Sequence, residues 1–355
     1  MEENMYYLNE NVETLNRIFD QNERKGFLRV DLNENPGGLP EDFIKKVLSG
    51  VDQEFISEYP ETKEFQELLA KFIGVEPNQI CLTNGSAEAI RHTMEAYTRP
   101  GGKVVSVAPS YAMYEVYCNM YGRRHVGVPY QEDGFTVKVD DIIDAIDDET
   151  DMVVILNPNN PVGDVYTYEE AERIIRAARE HEAFVLIDEA YFYFYPNSFI
   201  DFAINNDNVI LTRTFSKLFS LAGCRLGYAV GQAKEISMVQ KLCTPHNVNA
   251  FGIRFAQAII ETDGMVDQLV KEQLAGKKHL VDTLEARGYF VNALEGNFVF
   301  IKTKTDAAEV TRKLKEDHVL VKHYTAEKYK DFIRVSTGTT EIMDKFIAAL
   351  MECDK

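Results

Sequence analysis

From about residue 79 the sequence repeats one pattern: a short unbroken apolar run, a turn rich in Gly, Pro, Ser or Asn, then a helical stretch. Ile80-Cys-Leu82 passes through Thr83-Asn-Gly-Ser86 into a helix over 87–97. Val104-Val-Ser-Val107 leads to Pro109-Ser-Tyr111 and a further helix. Val153-Val-Ile-Leu156 ends in Asn157-Pro-Asn-Asn-Pro-Val-Gly163, ahead of a helix over 167–180. Phe184-Val-Leu-Ile187 ends in Asp188-Glu-Ala-Tyr191, and Val209-Ile-Leu211 leads to Arg213-Thr-Phe-Ser-Lys217. A strand that is apolar at every position has no face to show to water. Strands of this kind alternating with amphipathic helices predict an α/β fold, with a mostly parallel sheet covered by helices on both faces. Such sheets bind ligands at the carboxyl ends of their strands, and nearly every unusual residue here falls at such an end.

The flanking sequence reads differently. Val12, Leu15, Ile18 and Phe19 have helical spacing, Leu28-Arg-Val-Asp-Leu32 alternates like a short strand, and Asn33-Glu-Asn-Pro-Gly-Gly38 is a turn-rich loop. Pro40 opens a helix to about Leu48, and Phe65, Leu68, Leu69, Phe72 and Ile73 mark another. Helical character dominates 233–287. Beyond it, Phe290-Val-Asn, Phe298-Val-Phe-Ile301, Val319-Leu-Val and Phe332-Ile-Arg-Val335 alternate with helices, as in a smaller α+β unit. The expected organisation is an N-terminal arm (1–40), a large domain (41–245), an interdomain helical region (246–285) and a small α+β domain (286–355).

Composition bounds the partners. The formal charge of −19 over 355 residues repels nucleic acid and anionic membranes. No apolar run approaches the roughly 20 residues that span a bilayer, and the start of the chain lacks the basic and apolar segments of a signal peptide. Cys81, Cys118, Cys224, Cys243 and Cys353 form no CxxC pair and no metal-ligand spacing, so no metal is expected. Scattered reduced thiols fit a cytoplasmic protein.

The chemistry is densest in Arg213-Thr-Phe-Ser-Lys217-Leu-Phe-Ser-Leu-Ala-Gly-Cys-Arg225-Leu-Gly-Tyr228. A lysine just past a strand end, close to apolar chain, is partly desolvated. Desolvation disfavours the ammonium and makes the amine a nucleophile. Arg225 suits a phosphate ester, with Thr214 and Ser216 adding hydroxyl donors. An aldehyde cofactor that needs both an amine and a phosphate clamp is pyridoxal phosphate (PLP); an ordinary surface lysine between strands is the plain alternative. Asn84-Gly85-Ser86 opens a helix, where free amides and the dipole favour an anion, although a simple βα turn has the same form. Tyr111 could stack on a flat ring or pack in the core. The proline-fixed loop presents Asn160, which could donate to a phenolic oxygen shared with Tyr191. Asp188 follows four apolar residues and needs a cation, either a pyridinium nitrogen or an internal arginine. Lys322 and Arg334, in apolar strands near the C-terminus, suit anions; Arg334 would pair with a substrate carboxylate or an internal acid.

In this order the motifs are those of a family. The chain resembles fold-type I PLP-dependent aminotransferases, and within them looks most like histidinol-phosphate aminotransferases. The resemblance runs through Asn33-Glu-Asn-Pro36, Glu58-Tyr59-Pro60, Asn84-Gly-Ser86, Pro109-Ser-Tyr-Ala-Met-Tyr114, the loop at Asn157, Asp188-Glu-Ala-Tyr191, the lysine segment, Asn247-Val-Asn249 and Arg334-Val-Ser-Thr-Gly338. It implies that Lys217 forms a Schiff base with PLP and then shuttles a proton between the substrate Cα and the cofactor. Asp188 would hold the pyridine nitrogen protonated, Tyr111 would stack on the ring, and Asn160 and Tyr191 would hold its phenolic oxygen. Gly85, Ser86, Thr214, Ser216 and Arg225 would grip the phosphate, together with Tyr59 from the partner subunit of a homodimer. Arg334 would bind the substrate carboxylate or the matching end of an amino alcohol phosphate.

The departures concern substrate choice. Ala87, Val162 and Phe192-Tyr193-Phe194 replace an acid, a threonine and an acid-containing segment. Lys322 stands where an arginine commonly meets the substrate phosphate, and His246 where an aromatic usually precedes Asn247. The expected reaction is ping-pong transamination between histidinol phosphate and 2-oxoglutarate. An aromatic or general amino-acid aminotransferase and a decarboxylase of a phosphorylated amino acid are the alternatives.

Overall fold

The computed structural model describes residues 8–15 and 24–355. Ile18 and Phe19 of the N-terminal helical pattern lie outside them, and a short helix, Glu10–Glu13, is present before that gap.

A short strand, β1 (Leu28–Arg29), precedes the main sheet, whose strands are β2 (Ile80–Thr83), β3 (Lys103–Ala108), β4 (Arg124–Pro129), β5 (Thr150–Leu156), β6 (Phe184–Asp188), β7 (Val209–Thr214) and β8 (Gly227–Val230). Their spatial order is β2-β8-β7-β6-β5-β3-β4. β3 to β7 run parallel with β4, whereas β8 is antiparallel to both of its neighbours, β2 and β7. The sheet is therefore mostly parallel, as the apolar runs predict.

Period-two alternation sorts its side chains into two cores. Met152, Val154, Leu156 and Leu186 face one apolar cluster, while Val153, Ile155, Val185 and Ile187 face the other. All seven residues of β5 are buried. At roughly 1.5–3 kcal/mol for each fully buried aliphatic side chain, these central strands supply much of the drive to fold. The covering helices begin where their caps dictate. Thr167 Oγ1 accepts from the Glu170 amide at 3.2 Å, and Glu170 Oε2 accepts from the Thr167 amide at 2.8 Å, a reciprocal cap on Tyr168–Glu180.

The helices Ala233–Gln240, Ala250–Glu261 and Met265–Glu285 follow. Then come β9 (Phe290–Asn292), β10 (Phe298–Lys302), β11 (Val319–Leu320), β12 (Lys322–His323) and β13 (Phe332–Ser336), with helices Ala307–Glu316 and Thr340–Cys353. A four-stranded antiparallel sheet, ordered β12-β13-β10-β9, packs over a third apolar cluster. The expected strand at Val319-Leu-Val divides: β11 pairs in parallel with β1, and only β12 joins the antiparallel sheet. β1 is also shorter than the alternation over 28–32 suggests. That alternation ends where Asp31 and Leu32 turn their carbonyls toward side chains of the candidate site.

Candidate active site

A cavity of about 680 Å³ opens at the carboxyl ends of β5, β6 and β7 and reaches across to β12 and β13. Ser86, Tyr111, Asn160, Asp188, Tyr191, Thr214, Ser216, Lys217, Arg225, Lys322 and Arg334 all line it. Residues far apart in the chain thus meet because parallel strands end on one edge. Gly85 stands immediately before Ser86 as the N-cap of helix Ser86–Tyr97. Tyr59 is not in the cavity: it is 77 % exposed and stacks on His246, ring centroids 4.4 Å apart.

Lys217 lies three residues beyond the end of β7 and donates from Nζ to the Leu32 carbonyl at 3.1 Å. Burial, reinforced by the cationic Arg334, lowers its pKa to about 8. A substantial fraction of the amine is therefore neutral near physiological pH, as a nucleophile requires. Asp188 is 2 % exposed at the end of β6. It accepts from Tyr114 Oη at 2.8 Å and from the Ala190 amide at 3.1 Å, both neutral donors. Burial pushes its pKa up to about 6, so the carboxylate sits in a place that a cation would stabilise.

The anion end is built from two chain segments. Gly85 has φ +77°, and a Cβ there would lie 2.5 Å from Arg225 Nη2. Only bare backbone fits between the guanidinium and the helix start. Gly227 is equally constrained, because a Cβ would meet the Ser86 amide nitrogen at 2.4 Å. The helix has no side-chain cap, which leaves its first-turn amides as anion donors. Arg225 Nη1 donates to Ser216 Oγ at 3.3 Å, and Thr214 Oγ1 lies 3.0 Å from the same oxygen.

Between these ends, Asn160 Oδ1 accepts from Arg334 Nη1 at 2.6 Å and from Asn33 Nδ2 at 3.3 Å. Its amide N–H groups remain to donate to a ligand. Asn33 Nδ2 also donates to Tyr191 Oη at 2.9 Å. Arg334, 5 % exposed, gives its other terminal nitrogen to the Asp31 carbonyl at 2.7 Å. Tyr111 meets Tyr114 edge to face, ring centroids 5.5 Å apart at 86°.

Two residues emerge that sequence reasoning assigned no role. Tyr114 anchors Asp188, and Asn33 ties the N-terminal segment to Tyr191 and Asn160. Both lie in motifs already noted, which was the available signal; their contacts, made across 74 and 158 residues, were not visible in it.

The residues present fit PLP. The Gly85–Arg225 cradle admits an anion and no side chain, the buried Asp188 has no cationic hydrogen-bond donor among the described residues, and a low-pKa amine stands in the same cavity. The comparisons agree with this geometry. Residues 25–350 match the aminotransferase class I and II family. The chain belongs to that family and is a PLP-dependent aminotransferase.

Among its relatives, the histidinol-phosphate aminotransferase of Thermoanaerobacter sp. (strain X514) is 34 % identical over 330 residues, covering 91 % of this chain and 92 % of that one. The histidinol-phosphate aminotransferase of Sinorhizobium meliloti, solved in complex with pyridoxal-5'-phosphate, shares the fold with TM-score 0.83 at 22 % identity, over 92 % of this chain and 90 % of that one. A putative histidinol-phosphate aminotransferase from Erwinia carotovora atroseptica also superposes with TM-score 0.83, at 24 % identity over 94 % and 98 % of the two chains. Among the described residues no helix is long and apolar enough to cross a membrane.

Proposed function

We propose that this aminotransferase moves the amino group of histidinol phosphate to 2-oxoglutarate in a ping-pong cycle. The observation that carries this reading is the pair Lys322 and Arg334. They are register partners on β12 and β13 and line the same cavity as Lys217. One cation would meet the substrate phosphate and the other the carboxylate of the oxo acid or the matching end of the amine. The curated relatives that act on histidinol phosphate support the same choice.

PLP, when bound, supplies an aldehyde that takes the amine and a ring that spreads negative charge from the substrate Cα. Lys217 would be the amine that meets that aldehyde and the base that holds and returns the proton at the substrate Cα. Its pKa of about 8 suits both tasks near neutral pH. Asp188, aligned by Tyr114, would keep a proton on the ring nitrogen. Asn160 and Tyr191 would hold the phenolic oxygen, and Tyr111 would cover the ring. The Gly85 and Ser86 amides, Thr214, Ser216 and Arg225 would hold the phosphate.

We further take the enzyme to be a homodimer in which Tyr59 reaches the partner's phosphate site. Its exposure on one chain supports that reading. The large and small domains would divide near residues 245 and 286, with the cavity between them.

The test is a half-reaction. PLP-form protein is mixed separately with histidinol phosphate, glutamate, an aromatic amino acid and phosphothreonine, following the cofactor absorbance and released CO2. Efficient amination of the cofactor by histidinol phosphate supports the proposal; CO2 release without amination makes the enzyme a decarboxylase. A second reading, an aromatic amino-acid aminotransferase, draws on Tyr324, whose ring lies 5.8 Å from the Arg334 guanidinium and lines the cavity. Amination by the aromatic amino acid alone would favour it.

A further inference from the structure

Cys81, Glu88, His92 and Cys243 come together behind the phosphate turn, and none of them lines the cavity. Glu88 and His92 are one turn apart on the same face of helix Ser86–Tyr97. His92 is 2 % exposed, yet neither ring nitrogen has a partner within hydrogen-bond distance among the described residues; Nε2 lies 3.7 Å from Glu88 Oε1 and Nδ1 lies 3.8 Å from Glu95 Oε2. An unsatisfied buried imidazole is costly and calls for an explanation.

The surroundings supply one. Glu88 Oε2 accepts from the Asn84 amide at 2.7 Å and from Asn247 Nδ2 at 2.8 Å. Those two bonds fix the carboxylate and leave Oε1 facing His92 Nε2 at 3.7 Å. Orientation of a ligand by an outer shell of hydrogen bonds is typical of metal sites. One ligand atom each from Glu88, His92 and Cys243 lie within 4.8 Å of one another. Cys81 Sγ, on β2, is 3.8 Å from Cys243 Sγ. Two thiolates on a tetrahedral zinc ion, with bonds of about 2.3 Å, stand about 3.8 Å apart. The sulfurs already have that spread; Cys81 stands outside the 4.8 Å group, so the imidazole and carboxylate must draw toward both sulfurs for four ligands to close on one ion.

We propose that Glu88, His92, Cys243 and Cys81 form a tetrahedral site for zinc or a similar thiophilic divalent cation. Binding would release to solvent the protons shared among Cys81, Cys243 and His92, leaving two thiolates and a neutral imidazole as ligands. Mixed sulfur and nitrogen donors select such cations over magnesium or calcium. Cys243 and Glu88 are only half-buried, which leaves a route of entry. The ion would clamp the turn at Asn84, which leads directly into Gly85 and Ser86, to the segment carrying Asn247. The role is structural, separate from the chemistry in the cavity.

The test uses the PLP-loaded enzyme, stripped with a chelator and dialysed against zinc chloride. The expected result is about one zinc per chain. Cys243 should become protected from a thiol reagent, while Cys224, the other half-buried thiol, serves as the internal control. Cobalt in place of zinc should give a thiolate charge-transfer band. Cys243→Ser and His92→Asn should each abolish stoichiometric binding with the cofactor absorbance retained. If either misfolds, Glu88→Gln and the protection pattern of the unmodified chain decide. Absence of stoichiometric zinc binding, zinc binding that survives both substitutions, or equal reactivity of Cys243 and Cys224 with and without zinc would overturn the proposal.

Discussion

Lys322 and Arg334 face each other directly across β12 and β13, and both open into the cavity that holds Lys217. Lys322 is exposed, whereas Arg334 is buried and already bonded to Asn160 and the Asp31 carbonyl. The two cations are therefore not equivalent: Arg334 is pre-organised, and Lys322 is a mobile point charge.

That difference yields the first prediction. Lys322→Ala is expected to lower kcat/KM for a phosphorylated amine by roughly 10- to 100-fold, the worth of one charge-assisted hydrogen bond. Plain amino acids should lose much less. Steady-state kinetics on both substrate types would check this, and equal losses would remove Lys322 from the distal site.

Lys217→Ala is expected to reduce turnover by at least roughly 1000-fold, since it removes both the nucleophile and the proton carrier. The phosphate cradle remains, so equilibrium dialysis should still find cofactor bound. Turnover within tenfold of normal would contradict the assigned role.

The pH dependence follows from the same amine. Its pKa of about 8 lies below the usual lysine value, so the reactive neutral form grows as pH rises through 8. Capture of added cofactor by the apoenzyme should accelerate over that range. Glu34 opposes the shift, because its negative charge favours the ammonium. Glu34→Gln should accordingly move the midpoint to lower pH, as stopped-flow absorbance would show; a midpoint that rises would refute the electrostatic account.

Gly85→Ala places a methyl group against Arg225 at a left-handed backbone position. Apoenzyme stability should fall by about 1–3 kcal/mol, measured by thermal unfolding, and the Kd for the cofactor should rise. An unchanged Kd would mean that this turn does not touch the phosphate.

Tyr59→Phe should weaken cofactor retention while leaving the apo fold intact, because among the described residues the Tyr59 ring stacks only on His246, a contact that phenylalanine keeps. Dialysis rates for the normal and substituted enzymes provide the comparison. Identical rates would exclude a contact across subunits.

The sequence made the central strands legible because β5 and β6 contain the unbroken apolar runs Val153-Val-Ile-Leu156 and Phe184-Val-Leu-Ile187, a pattern few other structures tolerate. β4 was missed for the opposite reason. Arg124, His125 and Gly127 make it a polar edge strand, mostly exposed or half-buried, without the alternation that marks a sheet member. The reversal of β8 was also invisible, since strand direction depends on how the segment between Thr214 and Gly227 turns back. Site residues at strand ends could be named because strand, turn and chemistry are adjacent in sequence. Cys81 and Cys243 could not be paired, because 162 residues separate two thiols that only the folded chain brings into contact.

The turn at Gly85 and the segment from Thr214 to Gly227 build one anion cradle from chain separated by more than a hundred residues. Their junction is Gly227, which pairs with Thr83 on one side and Thr214 on the other. Neither half can grip a phosphate until β8 has inserted between β2 and β7. Cofactor capture is thus a reporter of β8 insertion. During refolding, the absorbance of bound cofactor should lag behind the recovery of helical circular dichroism, and a chain that has gained its helices without β8 in place should leave the cofactor in solution.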